Sequence, residues 1–183
     1  MLKASPMVLS AREHWRYRGQ ERPSFAEPVG PGEESVWDFP RPPALESVPE
    51  VLEVRCGSEL VARTEAGMRV CETAGAPTYY FPPDDVLVPL TQVPGESLCE
   101  WKGLAQQFAV EVDGAPSGAV AWCYAKTFPE FSTIAGWYAF YATKLDCFVG
   151  AERVEPQPGG YYGGWVTSRL KGPIKGEAGS GGW

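Results

Sequence analysis

Proline and glycine punctuate this chain so densely that long regular elements have no room to form. Eighteen prolines and 21 glycines fall among 183 residues. Proline ends helices and central strands, and glycine weakens the interior of both. A helical bundle is therefore excluded, and short strands joined by tight turns, with irregular ends, are what the spacing permits. The rest of the composition, 44% hydrophobic and 21% charged, supplies enough apolar side chains for a folded core and argues against wholesale disorder.

Period-2 alternation locates the strands. Val51 to Cys56 and Glu59 to Thr64 flank Gly57-Ser58 and predict a two-residue hairpin. Met68 to Thr73 alternates so that Met68, Val70 and Glu72 share a face. Pro77 to Phe81, Val86 to Val88, Ser97 to Trp101, Gln106 to Val112, Gly118 to Tyr124, Trp137 to Tyr141 and Lys144 to Val149 read as further strands. In the strand from Gln106, Phe108 and Val110 are expected inward and Gln107 outward. Phe128 to Ala135 is the one helix expected, with Thr127 as its N-cap and Pro129 in its first turn. The expectation is an all-β fold: one antiparallel domain over 47–155, β-tent-like or a small barrel. An extended arm, 1–46, and a glycine- and aromatic-rich tail, 156–183, flank it. Trp15, Tyr17, Phe25, Trp37 and Phe39 recur along the arm, which predicts that it packs on the domain rather than hanging free.

A formal charge of −7 disfavours nucleic acid as a partner, and no stretch is long and apolar enough to span a membrane. The five cysteines are odd in number, carry no C-x-x-C spacing, and follow an N-terminal segment without the apolar run of a signal peptide. A cytoplasmic setting with unpaired, mostly buried thiols follows from that reading. With one histidine, His14, neither a Ser-His-Asp triad nor a metal site is expected, and no cofactor is called for.

The chemistry-bearing residues concentrate between Arg69 and Gly103. Glu72, Cys99 and Lys102 are the catalytic candidates. Lys102 is either a desolvated amine able to act as a base, or the cation of an ion pair with Glu72 or Glu100 that ties strands together. Cys99 is either a thiolate activated by that lysine or an inert buried thiol. Tyr79, Tyr80, Trp101, Trp122 and Tyr124 are either ligand-cage walls or plain core. Asp85, after Pro82-Pro83, suits a turn cap.

The segments R-V-C-E-T-A-G-A-P-T-Y-Y-F-P-P-D-D-V, C-E-W-K-G, A-W-C-Y and A-F-Y resemble the small bacterial and fungal family catalogued as domain of unknown function 427, also filed as a putative nucleotidyltransferase domain. The arm (H-W-R-Y-R-G-Q) and the tail (Q-P-G-G-Y-Y-G-G-W) are similar to its longer members. The resemblance implies a compact β-rich domain and little about chemistry. No glycine-rich phosphate loop opens a helix, and Asp84-Asp85 would face opposite ways on a strand, so nucleotidyl transfer has weak support in these residues. The chain departs from the family at Ala74-Gly75-Ala76-Pro77, where Ser-His-Pro-Pro is common, and at Ala125-Lys126 after Tyr124. Three functions fit: a metal-independent enzyme on a small metabolite, with Glu72 as acid/base and Lys102 as base or charge stabiliser; a non-catalytic ligand-binding domain; or an interaction scaffold.

Overall fold

Alternation becomes sidedness in the computed structural model, which describes residues 1–183. The arm holds a helix, α1 (Pro6–Glu13), and two short strands, β1 (Glu34–Ser35) and β2 (Ala44–Ser47). The hairpin β3 (Leu52–Cys56) and β4 (Glu59–Thr64) forms at the predicted turn, with a bulge after Val54. Then come β5 (Met68–Cys71), β6 (Thr78–Tyr80), the long hairpin β7 (Leu90–Cys99) and β8 (Gly103–Val110), and β9 (Ala121–Thr127). β10 (Tyr138–Phe140), β11 (Asp146–Val149) and β12 (Glu152–Arg153) complete the domain, and the tail adds β13 (Glu155–Pro156), β14 (Trp165–Val166) and β15 (Leu170–Lys171).

Two four-stranded antiparallel sheets, ordered β10-β9-β8-β7 and β12-β11-β3-β4, and a three-stranded sheet, β2-β5-β6, make the body. Backbone bonds between Phe81 and Tyr138, at 2.8 and 3.0 Å, join the end of β6 to β10. The sheets remain open, so the small-barrel option does not hold. The main core lies between them, with Leu52, Val54, Val61, Phe81, Phe140 and Trp165 in its interior.

The sheet containing β9 divides that core from a second apolar cluster. Ala121 faces the main core, whereas Trp122 and Tyr124 face the second cluster with Tyr80 and Ile134. On β6, Tyr79 points to the main core and Tyr80 to the other side, as consecutive strand residues must.

Three local expectations are corrected. Phe128 to Ala135 is not an α-helix but a 3₁₀ segment, Pro129–Ile134, broken at Phe131 (φ −115°). Thr127 is not its cap; it ends β9, and Phe128 takes the N-cap position without a side-chain bond. Val86 to Val88 forms no full strand, only one bridge from Val86 to Ala62 after a 3₁₀ turn at Pro83–Asp85. The helix that does form, α1, has Pro6 in its first turn and Ser5 as N-cap, whose hydroxyl accepts from the Val8 N–H at 3.3 Å.

Both extensions pack on the domain. β1 pairs in parallel with β15, joining arm to tail, and β13 pairs with β14. Trp37 is buried and contacts Tyr17, Phe25 and Trp183 ring to ring at 5.1 to 5.3 Å. Gln157 staples the tail: its Oε1 accepts from the Ala76 N–H at 3.1 Å and its Nε2 donates to the Lys175 carbonyl at 2.7 Å. Gln157→Leu strands both backbone groups in a buried site. It is expected to lower stability by roughly 1–3 kcal/mol for each, read from the urea unfolding midpoint.

Candidate functional site

A cavity of about 650 Å³ opens on the Trp122 side of the β9 sheet. Four parts of the chain wall it. Strands β6 and β9 present Tyr80, Trp122 and Tyr124; the end of β5 presents Val70 and Glu72, on one face as the alternation predicts. The β7–β8 turn presents Cys99, Glu100 and Lys102. Gly103 closes that turn at φ +129°, where any Cβ would lie 2.4 Å from the Lys126 carbonyl oxygen, so only glycine permits this approach.

The arm brings Trp15 and Arg41, and the tail brings Gln157, Tyr162 and Lys175. The tail reaches the wall because Gly163 abuts the outer carbons of the Trp122 indole, where a Cβ would sit 2.1 Å from Cη2. Gln107 and Tyr141 add a polar edge, joined by a 3.1 Å hydrogen bond from the Tyr141 hydroxyl. Gln107, expected outward, thus faces the cavity.

Arg41 knits these parts together. Its guanidinium is buried and donates to Glu72 Oε1 at 2.9 Å, to the Tyr17 carbonyl at 2.9 Å and to the Thr73 carbonyl at 3.0 Å. It also lies 4.3 Å from the Trp15 ring centroid. Glu72 is therefore paired with Arg41, not with Lys102. Trp15 in turn donates its indole N–H to Glu100 at 2.8 Å.

Lys102 reaches the cavity without a hydrogen bond or an ion pair, with its ammonium 5.9 Å from the Tyr124 ring. Neither sequence-based alternative describes it. Burial works against its charge, but Cys99, Tyr124, Tyr80 and Glu72 around it outweigh that and hold its pKa well above the ordinary lysine value. Burial, opposed by the Lys102 cation, pushes both tyrosine pKa values up. Around neutral pH the lysine and both phenols keep their protons.

Lys175 is the opposite case. It is 4% exposed, and its ammonium stands 3.6 Å from the Trp15 ring centroid and 5.5 Å from that of Tyr162. Burial first, and then the Arg41 charge, bring its pKa down to about 8, although Glu72 and Glu100 pull upward. Nothing in the sequence marked this lysine, which sits in glycine-rich text; only the folding-back of the tail gives it a role.

Two expected cage residues lie elsewhere. Tyr79, next to Tyr80 on β6, points the other way, stacks on Trp165 at 5.0 Å and lines a separate cleft with Arg69. Trp101 is buried behind the turn, where Arg12 of α1 covers its ring at 5.3 Å. Glu72, Cys99, Lys102, Tyr80, Trp122 and Tyr124 do converge on the cavity. All five cysteines are free; burial pushes Cys71 up to about 12 and Cys123 up to about 11.

The model of the family described as a domain of unknown function, DUF427, matches residues 44–151. The chain belongs to the DUF427 family. No curated protein matches it. The DUF427 segment supplies the strand-borne walls, Val70 to Tyr141, whereas Trp15, Arg41, Gln157, Tyr162 and Lys175 lie outside the matched residues. In this DUF427 protein the cavity is therefore a joint product of the family domain and both extensions. No helix of the chain is long and apolar enough to cross a membrane.

Two consequences of the Arg41 contacts are measurable. Arg41→Met leaves the partly exposed Glu72 and the Tyr17 and Thr73 carbonyls without their donor and is expected to cost roughly 1–3 kcal/mol in chemical denaturation. The same change removes the charge that depresses Lys175, so the amine, followed by NMR after reductive ¹³C-methylation, should titrate above its wild-type value of about 8. An unfolded lysine titrates at about 10.4, so between those values the unfolded chain binds the extra proton. The contribution of Lys175 to stability should therefore rise with pH from about 8 upward.

Proposed function

We propose that this protein binds a small metabolite in the cavity, and that the arm and tail belong to the binding site. The observation that carries the reading is Lys102, a cation facing an aromatic-walled cavity with no partner inside the chain. The surroundings keep this amine charged, yet none of its three N–H donors has an acceptor in the chain, so they are left for something that enters the cavity. The cavity volume suits a small molecule, and its mixture of rings with a few polar groups is what such sites use to orient a ligand. A scaffold would have no use for a charged interior surface of this kind.

A catalytic reading has an observation of its own, the Lys175 amine. Its depressed pKa, about 8, makes it a proton acceptor or donor close to neutral pH. In that reading Lys175 takes the acid/base role, Lys102 stabilises developing negative charge, and Glu72 orients Arg41 rather than moving protons. Cys99, at the wall beside Lys102, has no histidine base in the cavity.

Equilibrium dialysis of the full chain against a deproteinised cell extract, read by mass spectrometry, tests binding. One or a few metabolites should concentrate on wild type and be lost on Ala119→Trp, which fills the cavity from its edge. Equal enrichment on both proteins would remove the cavity from the account. For the catalytic reading, Lys175→Arg should abolish turnover of the enriched metabolite while leaving its retention intact.

A further inference from the structure

We infer that the ligand of this cavity is a small organic oxyanion, a carboxylate or a phosphate monoester on a flat apolar body, with its acidic group held by Lys102 and Tyr80. The inference rests on the cavity being a ligand site and names the chemistry of what enters it.

The first argument is charge. The protein is acidic overall, at −7, yet four cations line this cavity (Arg41, Lys102, Lys144 and Lys175) against two carboxylates, Glu72 and Glu100. Glu72 is paired with Arg41, and one oxygen of Glu100 accepts from the Trp15 indole N–H. The lining thus keeps an excess of positive charge, and a cationic ligand would face that excess and Lys102. A neutral one would leave Lys102 without a counter-charge. An oxyanion supplies what the lysine lacks.

The second argument is hydrogen bonding. Tyr80 is 0% exposed, stands in the cavity wall, and its hydroxyl has no hydrogen-bond partner in the chain. The Trp122 indole approaches the phenol oxygen without hydrogen-bond geometry. A buried unpaired hydroxyl destabilises a fold, and native structures keep few of them. Lys102, whose charge acts on this phenol, makes no hydrogen bond either, so the two are free donors on one wall, with Tyr124 flanking the lysine. The third argument is shape. Tyr141, half-buried and packed with its centroid 4.5 Å from that of Trp122, presents a flat ring at the cavity wall.

The probes are benzoate, its neutral isostere benzamide, and phenyl phosphate. Each is titrated into the full chain while intrinsic tryptophan fluorescence, to which Trp15 and Trp122 at the cavity contribute, and the melting temperature are followed. Benzoate or phenyl phosphate should bind saturably and raise the melting temperature more than benzamide does, and the stronger of the two identifies the acidic group. Lys102→Met should weaken that binding about 10-fold or more, the range for losing a charge-assisted hydrogen bond. Tyr80→Phe should weaken it severalfold while melting no lower than wild type without ligand, since it deletes an unpaired hydroxyl.

Benzamide binding as well as either anion would overturn the inference and leave the ligand cavity standing. No binding of any probe up to high-millimolar concentration, together with a Tyr80→Phe protein that melts lower, would overturn both. Lys102→Arg keeps the charge and, if Lys102→Met fails to fold, should retain the preference for the anion.

Discussion

Arg41 is the contact on which the rest of the site depends. A single buried guanidinium ties the arm, through the Tyr17 carbonyl, to the end of β5, through Glu72 and the Thr73 carbonyl, and rests on the Trp15 ring. Planar, always charged and able to direct several N–H groups at once, arginine suits such a node where lysine would not. With Glu72 hydrogen-bonded there, the carboxylate makes no ion pair with Lys102 and acts on it only at a distance. The same guanidinium helps to depress Lys175. One interaction thus fixes the docking of the arm and contributes to the protonation behaviour of Lys175.

The β-sheets set the frame for that node. Because side chains alternate along a strand, the sheet carrying β9 has one face for the main core and another for the cavity. The core face is filled by aliphatic and aromatic side chains and needs no further partner. The other face is left half-covered by the family domain, and the arm and tail complete it. Glycines in the tail allow the close approach: Gly163 on Trp122, and Gly164, where a Cβ would lie 2.2 Å from Gln157 Oε1. The glycine-aromatic text of the tail is therefore a contact surface rather than a free linker.

The strands and their faces were legible in the sequence because alternation is a local signal. It gave the β3–β4 hairpin and the shared face of Val70 and Glu72; Cys99 and Lys102 were singled out instead by the density of charged, aromatic and sulfur-bearing residues from Arg69 to Gly103. It failed where a position depends on distant chain. Tyr79 and Tyr80 are identical as residue types, and only the register of β6 against β5 decides which one meets the cavity. Trp101 was misplaced because α1, with its weak apolar pattern, gave no sign of carrying Arg12 over that ring. Arg41, Gln157 and Lys175 lie in proline- or glycine-rich text without periodicity, so their partners, Glu72 at a separation of 31 residues and Ala76 at 81, carry no local signature. The α-helix expected at Phe128 is instead a pair of 3₁₀ turns between β9 and β10, interrupted where Phe131 leaves helical φ/ψ and buries its ring in the second apolar cluster.

Hydrogen exchange of the full-length chain, resolved to single amides, tests most directly the claim that arm and tail are structural parts of the cavity. The decisive amides are Arg41, bonded to the Arg18 carbonyl; Val36, bonded to Lys171; Gln157, bonded to Gly164; and Lys175, bonded to Ala74 at 2.7 Å. If the extensions are docked as described, these amides exchange slowly, with protection approaching that of Val120 and Phe81 in the core. If they exchange as fast as an unstructured peptide while Val120 and Phe81 stay protected, the DUF427 domain stands alone, Lys175 and Arg41 leave the site, and the account of the cavity is wrong.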